Sequence, residues 1–324
     1  MNQIGNRLNT FIETYLFLLT PVSLILGFLL SEQFKSGVGA IPLLFAYLTF
    51  VMASGCSIKQ IREALRMPGT ILLTFVMTHI AAPLVAYALS AAVFGADSPY
   101  VVGFVLFAII PLGVSSVLWV SLSRGHVPFT LAMIVIDTAL SPLVIPGALE
   151  FLFGASIELD HAGMLLDLVM IVVAPTLLGI LVNELSRYRF KAWSAPFCGP
   201  TSKLALCVVI LINAAAITPH VVELKGDLLA VLPLVVILVA LCYGIGLAGS
   251  LWLRKPEMLV TLTYVSGMRN ISLGLVLALA YFSPLTAVPV VLSILFQQPF
   301  ATINSLFMKK FMASRLYNKL TGVS

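Results

Sequence analysis

Three ionisable side chains sit deep inside apolar stretches of this sequence: His79, Asp137 and Arg269. An arginine at membrane depth costs about 2.5 to 3.5 kcal/mol even on a lenient insertion scale, so Arg269 must have a compensating partner or a task. Asp137 is the leading partner. Thr130, Ile134, Asp137 and Ser141 recur at spacings of three and four, which places them on one face of a helix. A permanent Arg269 to Asp137 pair would fasten two helices together, whereas a guanidinium neutralised by substrate would bind an anion. Histidine as a residue type changes charge near neutral pH, so His79 suits a proton relay or, more plainly, a hydrogen bond to a neighbouring helix. Ser115, Ser116, Ser266 and Asn270 border two further irregular places and suit substrate contact or the knitting of loosened backbone. Asn213, Gln297 and Gln298 suit a cavity wall or a cap on freed backbone groups.

Catalysis is the poorer use of these groups. Ser115 or Ser116 with His79 is a conceivable nucleophile and base for an intramembrane hydrolase, but no acid that would orient His79 is apparent. Asp137 is the one carboxylate deep in an apolar run, since Glu150, Asp167, Glu184 and Glu257 lie near run ends, so an aspartyl dyad is excluded. No phosphate-binding G-x-x-x-x-G-K-[ST] loop is present, which disfavours ATP-driven work by this chain. Cys56, Cys198, Cys207 and Cys242 show no C-x-x-C pair and no nearby histidines, and are read as packing residues. Metal is not expected, nor any organic cofactor.

The frame that holds these side chains is an all-α membrane protein. Of 324 residues, 60% are hydrophobic and 10% charged, with a mean hydropathy of +1.09, against about 25% charge in a typical soluble domain. Apolar runs fall at 14–30, 39–57, 69–94, 100–123, 126–153, 162–185, 201–219, 227–253, 257–282 and 285–310, which predicts ten spans. The first run, Thr14 to Leu30, follows a single basic residue, Arg7, and ends without a small-residue cleavage site, so it is kept as a span.

Orientation follows from charge. With ten spans, fifteen of the eighteen Lys and Arg fall on one side, among them Lys59, Arg62, Arg124, Arg187, Lys203 and Lys255. Only Lys35 and Lys225 fall on the other, and Arg269 is inside a span. The rule that positive loops stay cytoplasmic then puts both termini in the cytoplasm. The net charge of +5 is thus an orientation signal and not a nucleic-acid footprint. The basic tail from Lys309 to Lys319 suits anionic lipid head groups. Trp119, Trp193 and Trp252 suit packing or the interfacial belts. Without a transit peptide, a bacterial inner membrane is the expected site.

Five predicted spans cover residues up to 153 and five cover 154–324, and an odd number makes the second half enter from the opposite face, as in inverted-repeat transporters. The breaks also match by position: Pro111-Leu-Gly-Val-Ser-Ser116 in span four and Val265-Ser-Gly-Met-Arg-Asn270 in span nine. Unwound backbone at that depth must be buried in protein or line a wet cavity, so the paired breaks predict a shared cavity.

The stretch Gly267-Met268-Arg269-Asn270-Ile-Ser-Leu-Gly-Leu-Val-Leu-Ala, the Pro111 break followed by Arg124-Gly125, Leu140-Ser141-Pro142-Leu143 and Gly55-Cys-Ser-Ile-Lys59 resemble the bile acid:sodium symporter family, of the bile/arsenite/riboflavin transporter superfamily. The resemblance implies two inverted five-helix repeats, residues 1–153 and 154–324, with helices four and nine crossing at mid-membrane. It implies a core of helices 3–5 and 8–10, and a panel of helices 1, 2, 6 and 7. Uptake of an organic anion by alternating access through a cavity between them is implied as well, with no obligate protein partner.

This chain departs from that family at its sodium ligands. Sodium-coupled members carry a glutamate and a glutamine where Val265 and Arg269 stand. They carry Ser-Asn at Ser116 and Val117, two hydroxyls at Thr130 and Ile134, and a glutamine at Thr78. A hard cation wants several oxygen ligands, so Na+ coupling is doubtful. The expectation is that Arg269 stands in place of a sodium ion, with sodium- or proton-coupled symport through rebuilt ligands as the alternative. An arsenite-type permease is disfavoured because span four lacks a cysteine.

Overall fold

The computed structural model describes residues 2–154, 160–223 and 226–312, so Lys225, Arg315 and Lys319 lie outside the described residues. Regular structure among the described residues is helical throughout. α1 (Asn2–Leu29) and α2 (Ser31–Phe34) lead through a 3-10 segment, Lys35–Ala40, into α3 (Ile41–Ala53). α4 (Ile58–Leu65) starts from a capping box in which the Ser57 hydroxyl accepts from Gln60 N at 3.2 Å and Gln60 Oε1 accepts from Ser57 N at 2.9 Å.

α5 (Pro68–Phe75) passes through a π turn, Val76–Ala81, into α6 (Ala82–Phe94). Pro83 lacks an N–H for the carbonyl four residues earlier, and a locally widened turn absorbs that defect. The same device recurs where α10 (His161–Leu168) passes through Val169–Val173 into α11 (Ala174–Leu185), ahead of Pro175. Between these lie α7 (Pro99–Ile109), α8 (Ser116–Leu122) and α9 (Val127–Phe153). The remainder is α12 (Arg189–Glu223), α13 (Leu228–Ser250), α14 (Pro256–Gly267), α15 (Ile271–Tyr281) and α16 (Pro284–Met312).

Seven of the described helical stretches are long and apolar enough to cross a membrane, and an eighth is α1, bent by 71° between 7–16 and 18–29. α7 and α15 are apolar but short, each being half of an interrupted stretch. α7 is buried from Tyr100 to Ile109 and α14 from Met258 to Gly267, as expected of helices enclosed on all sides. Around them pack α6, α13 and α16, while α1 runs along α12, and α11 and α12 flank α3.

One boundary differs instructively from the sequence pattern. The predicted run at 201–219 is the latter part of α12, which begins at Arg189 despite Pro196 and Pro200. Its contact with α1 sustains it: a Cβ at Gly5 would strike the Pro196 carbonyl, and one at Gly27 the Leu211 carbonyl. Burial of that flank outweighs the local proline penalty. On the side rich in basic residues, chain reversals place Arg124, Arg187, Tyr188 and Arg254 at positive φ, between 50 and 65°. The Tyr188 hydroxyl, outside the spans, donates to Glu184 at 2.8 Å, and that bond raises its pKa. All four cysteines are free.

Candidate functional site

The two interruptions meet. Ile110, which precedes Pro111, is driven to extended geometry (φ −57°, ψ 153°) by the proline ring, and Met268 is extended at the end of α14 (φ −114°, ψ 119°). The segments then pass antiparallel, with Leu112 bridged to Arg269. Gly113 N donates to Met268 O and Asn270 N to Pro111 O, both at 2.8 Å. Backbone groups freed by one break are therefore satisfied by the other, the condition for unwound chain at membrane depth. Gly113 is required for this approach, because a Cβ there would stand 2.8 Å from Arg269 O.

Side chains complete the crossing. Gln297 on α16 straddles the Arg269 peptide groups, its Oε1 accepting from Arg269 N at 2.8 Å and its Nε2 donating to Arg269 O at 3.1 Å. Asp137 on α9 accepts from Leu112 N at 2.8 Å through Oδ2. Its Oδ1 lies 2.5 Å from His79 Nε2, in the π turn between α5 and α6. Asp137 thus takes His79 and the Leu112 N–H as its hydrogen-bonding partners and leaves the Arg269 guanidinium without a direct carboxylate bond among the described residues.

Arg269 is 1% exposed. Its Nη2 donates to Thr78 O at 3.1 Å, Nε and Nη1 have no hydrogen-bond partner, and the Cys242 thiol neighbours the group. Thr78 turns its hydroxyl back to Thr74 O at 2.7 Å, and Thr130 to His126 O at 3.1 Å. Ser116 and Ser266 are fully buried with unpartnered hydroxyls. An orienting acid for His79 does exist, contrary to the sequence reading, and it is Asp137. His79 Nδ1 nevertheless meets no hydroxyl, so no nucleophile and base are assembled.

A cavity of about 500 Å³ opens beside the crossing. One wall comes from α1, α3 and α12, through residues such as Thr20, Thr49 and Lys203, and the other from the crossing, α8 and α16. Of the expected site residues, Ser115, Arg269, Asn270 and Gln297 line it. Ser116, Ser266, Thr78, His79, Thr130 and Asp137 belong instead to the packed ground behind. Lys203, at the start of the predicted run 201–219 and counted from the sequence among the basic residues of one side, is part of the cavity wall, its Nζ donating to Asn9 Oδ1 at 2.6 Å. Gln298 also faces the cavity, bonded to Ser115 and Trp119.

The sequence profile of the Sodium Bile acid symporter family matches residues 41–224. The uncharacterized protein YbaS of Bacillus subtilis (strain 168) is 35% identical over 303 residues, covering 93% of this chain and 99% of its own. A rice protein (Oryza sativa subsp. japonica) named probable sodium/metabolite cotransporter BASS2, chloroplastic, is 24% identical over 272 residues, covering 82% of this chain and 61% of its own. YocS of B. subtilis, named an uncharacterized sodium-dependent transporter, is 26% identical over 273 residues, covering 82% of this chain and 81% of its own.

Proposed function

The chain belongs to the sodium bile acid symporter family, a family of membrane transporters and not of enzymes, and from that premise we propose that it carries an organic anion across the bilayer by alternating access. The observation that carries this reading is the cavity, set between the crossing with its flanking α8 and α16 on one side and α1, α3 and α12 on the other. In this reading α7 with α8 and α14 with α15 are the interrupted fourth and ninth of ten spans, in inverted halves at 1–153 and 154–324. The core is made of spans 3–5 and 8–10, and the panel of spans 1, 2, 6 and 7.

The anion is met by a wall of mixed character. Lys203 brings positive charge from the panel, while Asn270 and the first turn of α15 face the same space, with the helix dipole favouring negative charge at that end. Apolar side chains such as Phe45, Leu48 and Ile210 line much of the rest, suiting an organic body. The lining residues Met52 and Ser121 stand close in sequence to Lys59 and Arg124, on the basic side, so in this reading the cavity faces the cytoplasm, where both termini also lie.

Arg269 then has a coupling role. Its guanidinium points to Thr78 O, the position that a sodium-ligand glutamine holds in the resemblance. A monovalent cation about 4 Å from a guanidinium would be repelled by about 4 kcal/mol at an effective dielectric of ~20. Val117, Ile134 and Val265 offer no side-chain oxygen in compensation. A built-in cation replacing sodium is the reading these residues support best. Sodium coupling through rebuilt ligands is favoured by the description of the family and by the names of relatives. Uptake of labelled pyruvate and cholate into proteoliposomes, with and without a sodium gradient, tests both points. Saturable uptake independent of sodium is expected, and uptake of neither probe under any gradient would count against the transport reading.

A further inference from the structure

Three side chains beside the crossing form a hydrogen-bonded chain whose direction is fixed by chemistry. Trp119 Nε1 donates to Gln298 Oε1 at 2.9 Å, and Gln298 Nε2 donates to Ser115 Oγ at 3.2 Å. An indole N–H can only donate, so the amide atom opposite Trp119 must be the oxygen, and the amide nitrogen is thereby turned to Ser115. Ser115 Oγ, engaged as an acceptor, retains its own O–H to give, and makes no other hydrogen bond among the described residues. Ser115 and Gln298 line the cavity, whereas Trp119 stands behind them. The indole is itself held: its ring stacks on Tyr264 at 6.3 Å between centroids and 13° between planes, and the Tyr264 hydroxyl lies 3.0 Å from Ser123 Oγ.

We propose that Trp119 is a positioning residue which, through Gln298, commits the Ser115 hydroxyl to donate into the cavity, so that the site prefers a carboxylate over its uncharged amide. The preference arises because hydrogen bonds to an ionised acceptor are roughly twice as strong as neutral ones. It rests on the organic-anion reading above and narrows it to carboxylates seated against α8. The physical consequence of losing the indole is specific. With phenylalanine at 119 the Gln298 amide is free to turn over, its oxygen then accepts the Ser115 proton, and the donor is withdrawn although Ser115 is still present.

The test compares pyruvate with pyruvamide and cholate with cholamide, in uptake by proteoliposomes carrying wild type, Trp119→Phe, Ser115→Ala or Ser115→Thr. Trp119→Phe and Ser115→Ala are expected to raise KM for the carboxylates by about tenfold, the scale of one hydrogen bond to a charged acceptor, with a smaller effect on kcat. The carboxylate-to-amide preference should fall by the same factor, and Ser115→Thr should retain it. Unchanged preference in Trp119→Phe, or a loss confined to kcat, overturns the relay and leaves the transport reading standing. If wild type transports none of the four probes, the transport reading fails for them, and thermal unfolding with each probe judges the relay alone. Stabilisation by carboxylate over amide that Trp119→Phe removes supports it, and its absence from wild type overturns it.

Discussion

His79 Nε2 stands 2.5 Å from Asp137 Oδ1, and the other oxygen of the same carboxylate takes the Leu112 N–H at 2.8 Å. One buried carboxylate therefore ties α9 to the π turn ahead of α6 and to the extended backbone of the crossing. Asp137→Ala would remove both acceptors and leave a buried N–H and an imidazole without partners. The expected loss of stability is about 2 to 6 kcal/mol, from about 1 to 3 for each of the two buried groups left without a partner. Asp137→Asn should cost less, because it keeps one carbonyl oxygen. Thermal unfolding in detergent checks the order, and an Asp137→Ala protein that melts with the wild type would contradict it.

Gly113 carries the closest approach of the two interrupted helices. A Cβ there would lie 2.8 Å from Arg269 O and 3.1 Å from Arg269 C, and the backbone cannot yield without breaking the Gly113 to Met268 and Asn270 to Pro111 bonds. Gly113→Ala is expected to lower initial uptake on the order of a hundredfold, as displacements of about 1 Å at a positioned site do. Gly147→Ala on α9, with no atom within 4 Å of its added Cβ, is the control. It should leave uptake intact and stabilise the helix by up to about 1 kcal/mol.

The two breaks were legible in the sequence because Pro111, Gly113 and Gly267 interrupt apolar runs at corresponding places, while their crossing was what the family resemblance implied. Which polar residue faces the cavity was not. Where a helix is broken, side-chain direction no longer follows a 3.6-residue period, so Ser115 lines the cavity while Ser116 beside it is fully buried. The first turns of α12 were hidden by Pro196, Gly199 and Pro200, although packing against α1 keeps that stretch helical, and the run 201–219 did not show which way Lys203 faces. The partner of Asp137 was hidden for another reason. Helical spacing shows that Asp137 is on one face with Thr130 and Ser141, but His79 and Arg269 are both distant in sequence, and only the packing decides between them.

Gln297 supplies both a donor and an acceptor to the peptide groups of Arg269. Gln297→Ala would leave Arg269 N buried and unpartnered, at about 1 to 3 kcal/mol, and would remove one of the two donors to Arg269 O, which keeps its bond from Ile271 N at 3.0 Å. Gln297→Glu can still accept from Arg269 N but, when ionised, cannot donate to Arg269 O, so it should recover only part of the loss. Melting temperatures of the three proteins in the same detergent would show the series, and equal values for Ala and Gln at this position would refute the clamp.

Arg269 tests the coupling reading most directly, since its guanidinium is 1% exposed and donates to Thr78 O while its backbone, not its charge, is pinned by Gln297. Arg269→Gln keeps the backbone clamp but removes the positive charge. If that charge replaces a sodium ion, wild-type uptake of a carboxylate needs no sodium. The Arg269→Gln protein should then lose uptake by at least tenfold, a change of about 1.4 kcal/mol. Arg269→Lys, with the charge retained on a shorter and unforked group, should fall between. Proteoliposome uptake with and without a sodium gradient separates the outcomes. Sodium-driven uptake that persists in Arg269→Gln would place the coupling cation elsewhere in the core and reduce Arg269 to a packing residue, because a group that substitutes for an ion cannot be removed without the cycle losing that charge.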